Sequence, residues 1–236
     1  MISMRPLLLR LTVVLLLAVP MLSACGNAKE AEETKTIEET IADIHTEFAE
    51  AEYLGFELTT DKLPSDINGI KNAVGSGNRS PAFVGTVDLV TGGVAVGAEI
   101  AALDGEVWAK TGLNPEFLLI DPAELDAPNP ALLVGTGDDG LVAIFSAAEN
   151  LESEGKSREG NLVLETITAT VPGELMASLL PTASAKSDFA VEFRVTEKGA
   201  FHDLRMTGEF YKGHETTYRL KLEILEEPVT VKKPVE

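Results

Sequence analysis

Between Phe83 and Lys110, apolar and polar positions alternate with period two through three successive runs, which predicts strands and not helices. Every second residue places Val87, Leu89, Val94, Val96, Ala98, Ile100 and Ala102 on one face and turns Thr86, Asp88, Glu99 and Glu106 to the other. Gly92-Gly93 and Asp104-Gly105 separate the runs as two-residue turns, so the segment reads as a three-stranded antiparallel meander. Its apolar face is built from small side chains. Protein interiors normally fill to crystal-like density, so a face of Val and Ala leaves either a closely packed helix or a space.

The flanking patterns extend the same theme. Ile37, Ile41, Ile44 and Phe48 share a helical face behind a Thr36/Glu39 capping box, predicting a helix over 37–52. Leu54, Phe56 and Leu58 alternate as a strand, whereas 63–79 is rich in Gly, Asn, Ser and Asp and reads as a loop. Pro115, Pro122, Pro128 and Pro130 break any long element, with 117–120 left as a short buried run. Leu141, Val142, Ile144 and Phe145 predict a helix of about three turns, apolar on most sides and therefore enclosed. In the second half, strands are predicted over 151–156, 162–170, 189–195, 200–211 and 215–225. Pro172 opens a short apolar helix with Leu175, Met176 and Leu179, and 228–236 reads as a frayed tail. About ten strands and three or four helices place the chain in the α+β class.

The N-terminus changes the picture. Arg5 and Arg10 precede an apolar run from Leu11 to Met21 and the ending Leu22-Ser23-Ala24-Cys25, the pattern of an export signal. The run is roughly half the ~20 residues a spanning helix needs. Its ending resembles the bacterial lipobox, which makes Cys25, the only cysteine of the chain, the expected site of lipidation. Residues 1–25 are then the signal peptide, 26–35 a flexible tether and 36–236 a single domain, held by its core without disulfides. The formal net charge of −19 argues against nucleic acid as a partner, and the acyl anchor is the expected attachment to membrane.

Candidate chemistry narrows the field further. His45, His202 and His214 have no helical-spacing partners and no cysteine nearby, so no metal site is expected. No serine sits in a G-x-S-x-G elbow, and Gly135 to Gly140 lacks the Lys-Ser/Thr of a phosphate-binding loop. Asp121, Asp126, Asp138 and Asp139 match no calcium-loop spacing. No catalytic constellation and no cofactor motif is found. The apolar material itself remains: 44% of residues are hydrophobic but only 6% aromatic, leaving a filled core or an under-filled one that accepts acyl chains.

The order of pieces then carries a resemblance: lipobox, acidic first helix, V-G-T-V-D-L-V-T-G-G at 84–93, D-G-E-V-W-A-K at 104–110, L-L-I-D-P-A-E-L at 118–125, D-G-L-V-A-I-F at 139–145, and E-P-V-T-V-K-K-P at the end. This pattern resembles the mycobacterial LppX/LprA/LprF/LprG lipoprotein family from about Thr36 to Pro234. The resemblance implies a strongly curved antiparallel sheet, a half-barrel cupping several helices around a hydrophobic cavity. It implies a non-enzymatic carrier that moves acylated lipids or glycolipids between envelope layers. Cavity lining is assigned to Val87, Leu89, Val94, Val96, Ala98, Ile100, Ala102, Leu119, Val142, Phe145, Met176 and Leu179, with the way in past the Gly135 to Gly140 loop. Expected partners are the lipid, the membrane through lipidated Cys25 and a membrane transporter that loads or unloads the carrier. The alternative is an envelope lipoprotein with a filled core that binds a protein partner.

Overall fold

The computed structural model describes residues 35–80, 82–135 and 140–234. The signal peptide, Cys25, nearly all of the tether and 136–139 lie outside them. Residues from Lys35 onward form one compact unit. It is organised by a single open antiparallel sheet of eleven strands in the order β6-β5-β4-β3-β2-β1-β11-β10-β9-β8-β7.

The N-terminal half of the sheet is β1 (Tyr53–Thr59), β2 (Gly69–Asn78), β3 (Ala82–Thr91), β4 (Val94–Leu103), β5 (Glu106–Thr111) and β6 (Asn114–Ile120). The C-terminal half is β7 (Glu149–Glu159), β8 (Leu162–Val171), β9 (Phe189–Thr196), β10 (Phe201–Tyr211) and β11 (His214–Ile224). In each half consecutive strands pair as antiparallel neighbours, with a short helix, Gly173–Leu179, inserted between β8 and β9, and β1 pairs with β11 to join the halves, Leu54 opposite Ile224 and Leu58 opposite Leu220. Turns at 92–93, 112–113 and 212–213 lie at one end of the strands. Turns at 79–80, 104–105 and 197–200 lie at the other.

The helices are short: α1 (Ile37–Glu50), α2 (Pro130–Leu133), α3 (Ala143–Ser146), α4 (Gly173–Leu179) and a 3-10 turn at Pro122–Leu125. The capping box of α1 forms as its sequence predicts, with Thr36 Oγ1 accepting from the Glu39 N–H and Glu39 Oε2 from the Thr36 N–H. Its apolar stripe, Ile41, Ile44 and Phe48, is buried. Near its start Thr40 packs by the Gly199 turn, while Arg79, just after β2, holds its last carbonyls, so α1 crosses that end of the sheet.

Four expectations are corrected. The glycine-rich segment 63–79 is not a loop: its second part is strand β2. Gly75 and Gly77 are there for space, since a Cβ at Gly75 would stand 2.2 Å from Phe83 Cζ and one at Gly77 2.4 Å from Val134 Cγ2. The run 117–120 is not buried but forms edge strand β6, with Leu118 50% and Leu119 61% exposed. The three-turn helix after Gly140 is reduced to the single turn α3, because Ile144 and Phe145 close 3-10 bonds to Leu141 and Val142 and strand β7 begins at Glu149. It is nonetheless enclosed, as its composition requires. The tail does not fray where it is described: Asn78 Nδ2 donates to Val229 O at 3.0 Å, and Lys233 Nζ lies 5.2 Å from the Trp108 ring centroid and 2.8 Å from Glu106 Oε2.

Candidate functional site

Register across the sheet shows which side chains share a face, because residues directly opposite in antiparallel strands point the same way. On the helix-bearing face of the N-terminal half, one row runs Leu54, Gly77, Phe83, Ala102, Val107, Ile120. The next runs Phe56, Gly75, Gly85, Ile100, Ala109, Leu118, and the next Leu58, Ala73, Val87, Ala98, Thr111, Asn114. Ile70, Leu89 and Val96 form a further row, and Val94 ends the face at the hairpin turn. No charged residue occurs in these rows.

Exposure rises from the α1 end toward the turns, except at Ala98, which is buried. At the α1 end Phe83, Ala102 and Val107 are buried beneath Ala131 and Val134 of the α2 segment, and Phe83 stacks on Phe56 at 5.6 Å. Val87, Leu89, Val96 and Ile100 are half-buried, and Val94 at the far end is 62% exposed. The face is therefore an apolar trough, closed at the α1 end and open at the turn end. A recess of about 380 Å³ lies where β5 stops at Thr111 and β4 runs on past it, bordered by Val87, Ala98 and Thr111 on the trough side and by Asp88, Glu99 and Lys110 from the other.

The same face of the C-terminal half is filled. Phe189, Phe193, Leu204 and Leu220 are fully buried, and Phe145 stacks on Phe193 at 5.4 Å and on Phe48 at 5.8 Å. The sequence-assigned lining residues thus divide. Val87, Leu89, Val94, Val96, Ala98, Ile100 and Ala102 share the trough face. Val142, Phe145, Met176 and Leu179 are buried in the hydrophobic core, Phe145 against Phe193 of the C-terminal half. Leu119 lies on the opposite face of the sheet, beside Trp108 and Ala101. Its neighbour Leu118, together with Ile70, Ala73 and Ala109, was missed and belongs to the trough. No parity rule carries across the 112–113 turn and the irregular pairing at Pro115 to Phe117, so only the register could assign β6.

Polar groups around the trough fasten the walls. Where β1 has ended, Tyr211 and Tyr218 bridge to β2: their hydroxyls are 2.7 Å apart, the Ile70 N–H donates to Tyr211 Oη at 2.9 Å, and Tyr218 Oη donates to Ile70 O at 2.5 Å. Burial pushes both phenols above their ordinary pKa, so they stay neutral. At the closed end Arg79 donates to the carbonyls of Ala51 at 2.7 Å and Gly135 at 2.5 Å and to that of Phe48, tying α1 to the segment after α2. Gly135, the described start of the expected way in, is therefore held at the closed end; the rest of that loop, 136–139, lies outside the described residues.

Ionisable groups gather instead on the outer face of the C-terminal half. Asp203, fully buried, accepts from Arg194 Nε at 2.6 Å, Arg219 Nε at 2.9 Å and His202 Nδ1 at 2.9 Å, while Arg194 also pairs with Glu159. Burial alone would raise the Asp203 carboxyl, but the hydrogen bonds from Arg194 and Arg219 outweigh it and hold the pKa at about 2. Such a saturated carboxylate is structural. Among the described residues no group of three His, Cys, Asp or Glu could hold a metal ion, and no helix is long and apolar enough to cross a membrane.

The sheet is thus an open half-barrel, its helix-bearing face enclosed over the C-terminal half and open toward the turns in the N-terminal half. The chain belongs to the LppX_LprAFG lipoprotein family, which it matches over residues 37–231. Solved structures agree on the fold. LprF from Mycobacterium bovis superposes with a TM-score of 0.66 at 13% identity, covering 84% of this chain and 97% of that one. The Mycobacterium tuberculosis lipoprotein LppX gives 0.53 at 19% identity, covering 84% and 100%. Comparison with curated proteins finds no significant match.

Proposed function

We propose that this lipoprotein is a carrier without enzymatic activity. It holds the acyl chains of a lipid or glycolipid against the bare half of the sheet and moves the lipid between envelope layers. The observation that carries the reading is the unequal treatment of one continuous face: uncharged throughout, buried over β8–β11, but over β2–β6 buried only toward the α1 end and at Ala98, with Val87, Leu89, Val96 and Ile100 half-buried and Val94 exposed. An apolar area of this kind is maintained at a cost in solubility and is expected where something apolar covers it. Membership of a lipoprotein family supports the same reading.

The trough contacts chains and not heads. It offers Val, Leu, Ile and Ala without a buried hydrogen-bonding group on its floor, so it selects by chain volume and leaves the sugar or phosphate head in water. In this reading Cys25 carries the acyl anchor that keeps the carrier at the membrane on the extracytoplasmic side, and a membrane transporter supplies or receives the lipid. The filled half supports the other reading, an interaction lipoprotein, but does not account for the bare one. Native mass spectrometry of purified residues 35–236, with an organic extract analysed alongside, tests the proposal. Lipid of diacyl or larger mass is expected to accompany the protein; protein that emerges ligand-free and takes up no added diacyl lipid refutes it.

A further inference from the structure

The open end of the trough is formed by two hairpin turns side by side, β3–β4 at 92–93 and β5–β6 at 112–113. Their composition differs from the rest of the chain. From Leu89 to Ala98 and from Thr111 to Pro115 there is no ionisable residue, although 24% of the chain is charged. The most exposed large apolar side chains sit on these turns, Leu113 at 92% and Val94 at 62%. A Cβ added at Gly92, Gly93 or Gly112 would meet nothing within 4 Å, so the turns stand clear of the body of the protein. They are also fastened: the Gly92 N–H donates to Asn68 Oδ1 at 2.8 Å, anchoring the first turn to the β1–β2 connection. That connection carries Asp61, Lys62 and Asp66, and the 212–213 turn carries Lys212 beside Glu215, so the uncharged sector is confined to the two turns that end the trough.

We infer that the paired turns at 92–93 and 112–113 dock on a lipid bilayer, inserting Leu113 and Val94 among the lipids and bringing the open end of the trough to the membrane surface. A protein surface as acidic as this one, at a net charge of −19, is repelled by anionic headgroups. The contact therefore suits a zwitterionic or neutral bilayer, met by apolar insertion without basic residues. The trough floor continues into the turns without a charged residue between, through Leu89 and Val96 to Val94, so an acyl chain crosses no polar barrier on its way. Helix α1 crosses the opposite end of the sheet, away from these turns. Docking of this kind does not require that the protein carry lipid; the transfer measurement below rests on the carrier reading and the docking measurement does not.

Residues 35–236 contain all eleven strands of the described sheet and the core packed on it, and they contain no cysteine, so single thiols report cleanly. Leu113→Cys and Val94→Cys, each labelled with an environment-sensitive fluorophore, are mixed with phosphatidylcholine vesicles with and without brominated acyl chains; Asp104→Cys, on a turn at the opposite end, is the control. The expected result is a blue shift and bromine quenching at 113 and 94 and neither at 104, with weaker binding when phosphatidylglycerol replaces phosphatidylcholine. In the unlabelled protein, Leu113→Asp with Val94→Asp is expected to lower vesicle binding at least about tenfold for each side chain withdrawn from the bilayer. The same double variant should slow transfer of a fluorescent diacyl lipid between vesicles while its melting temperature is unchanged. Absence of lipid-dependent quenching at 113 and 94, equal quenching at 104, or a fluorescence change that follows protein concentration and not lipid, as in self-association, overturns the inference. Quenching without any transfer leaves the docking standing and counts against the carrier reading alone.

Discussion

Val87→Trp separates a trough floor from a packed core at one position. Val87 is half-buried, and its neighbours in the row are Ala73, Ala98 and Thr111, none of which fills the space above it. An indole there extends into open volume, so the stability cost should stay below the ~1–3 kcal/mol typical of overpacking. For a unit of this size that means a melting shift of less than about 4 °C. Binding should respond quite differently. A Trp side chain covers about 150–250 Å². If half of the smaller figure, roughly 75 Å², is floor denied to an acyl chain, the loss at ~25 cal/mol per Å² is about 2 kcal/mol, or about 30-fold in affinity. Competition against a fluorescent fatty acid measures the binding and differential scanning calorimetry the stability. A melting temperature lowered by more than about 6 °C with unchanged affinity would show that Val87 is packed and that this face holds no lipid.

Two further perturbations test how the walls are held. Asp203→Asn removes the charge on which two arginines, Arg194 and Arg219, converge, and breaking a buried pair of this kind costs about 3 kcal/mol. Because the folded carboxyl titrates near 2, below its unfolded value, its contribution is fully present above about pH 4 and is lost as pH falls toward 2; acid unfolding of Asp203→Asn followed by circular dichroism should lose that dependence. Arg79→Met keeps the length of the side chain but leaves the carbonyls of Phe48, Ala51 and Gly135 without their donor. A loss of about 2–3 kcal/mol is expected, with faster hydrogen exchange at the C-terminal end of α1 and unchanged exchange in β9 and β10; uniform acceleration across the sheet would mean that Arg79 supports the whole fold and not the joint.

What could be read from the amino-acid pattern depended on whether neighbouring residues settled it. Strand β4 alternates so strictly that its trough face was legible without a structure, and Thr36 and Glu39 mark the start of α1 by a local hydrogen-bond exchange. Strand β2 was not legible, because Gly75 and Gly77 lower strand propensity for a reason lying far along the chain: the Phe83 ring and the Val134 side chain occupy the space a Cβ would need. Leu119 was assigned to the wrong face because parity in a run as uniform as Phe117 to Ile120 is set by pairing, and the pairing to β5 is irregular at its start. Val142, Phe145, Met176 and Leu179 are as apolar as any trough residue. Hydrophobicity records that a side chain avoids water, and cannot record whether protein or a ligand covers it.

The two halves of the sheet depend on each other for opposite reasons. Apolar surface left uncovered contributes nothing to folding, and a trough of Val, Ala and Gly has few large side chains with which to compensate. The C-terminal half supplies what is missing: Phe189, Phe193, Phe210 and Tyr218 are fully enclosed there, with Phe145, Phe48 and Phe201 packed edge-to-face or stacked around them. Through the β1–β11 pairing that stability is transmitted across one continuous hydrogen-bonded ladder, and the Tyr211–Tyr218 bridge to Ile70 extends it past the end of β1. The bare half can therefore remain ordered without being filled. The edges show the same division: β7 carries Glu149, Glu152, Glu154, Lys156, Arg158 and Glu159 and two pairing irregularities, which block addition of a further strand. Edge β6 has Pro115, the single charge of Glu116 and an irregular start, and its Leu118 continues the trough to the rim. A chain lying in the trough would cover Leu118 as well, so ligand binding would shield the edge that the sequence leaves least protected.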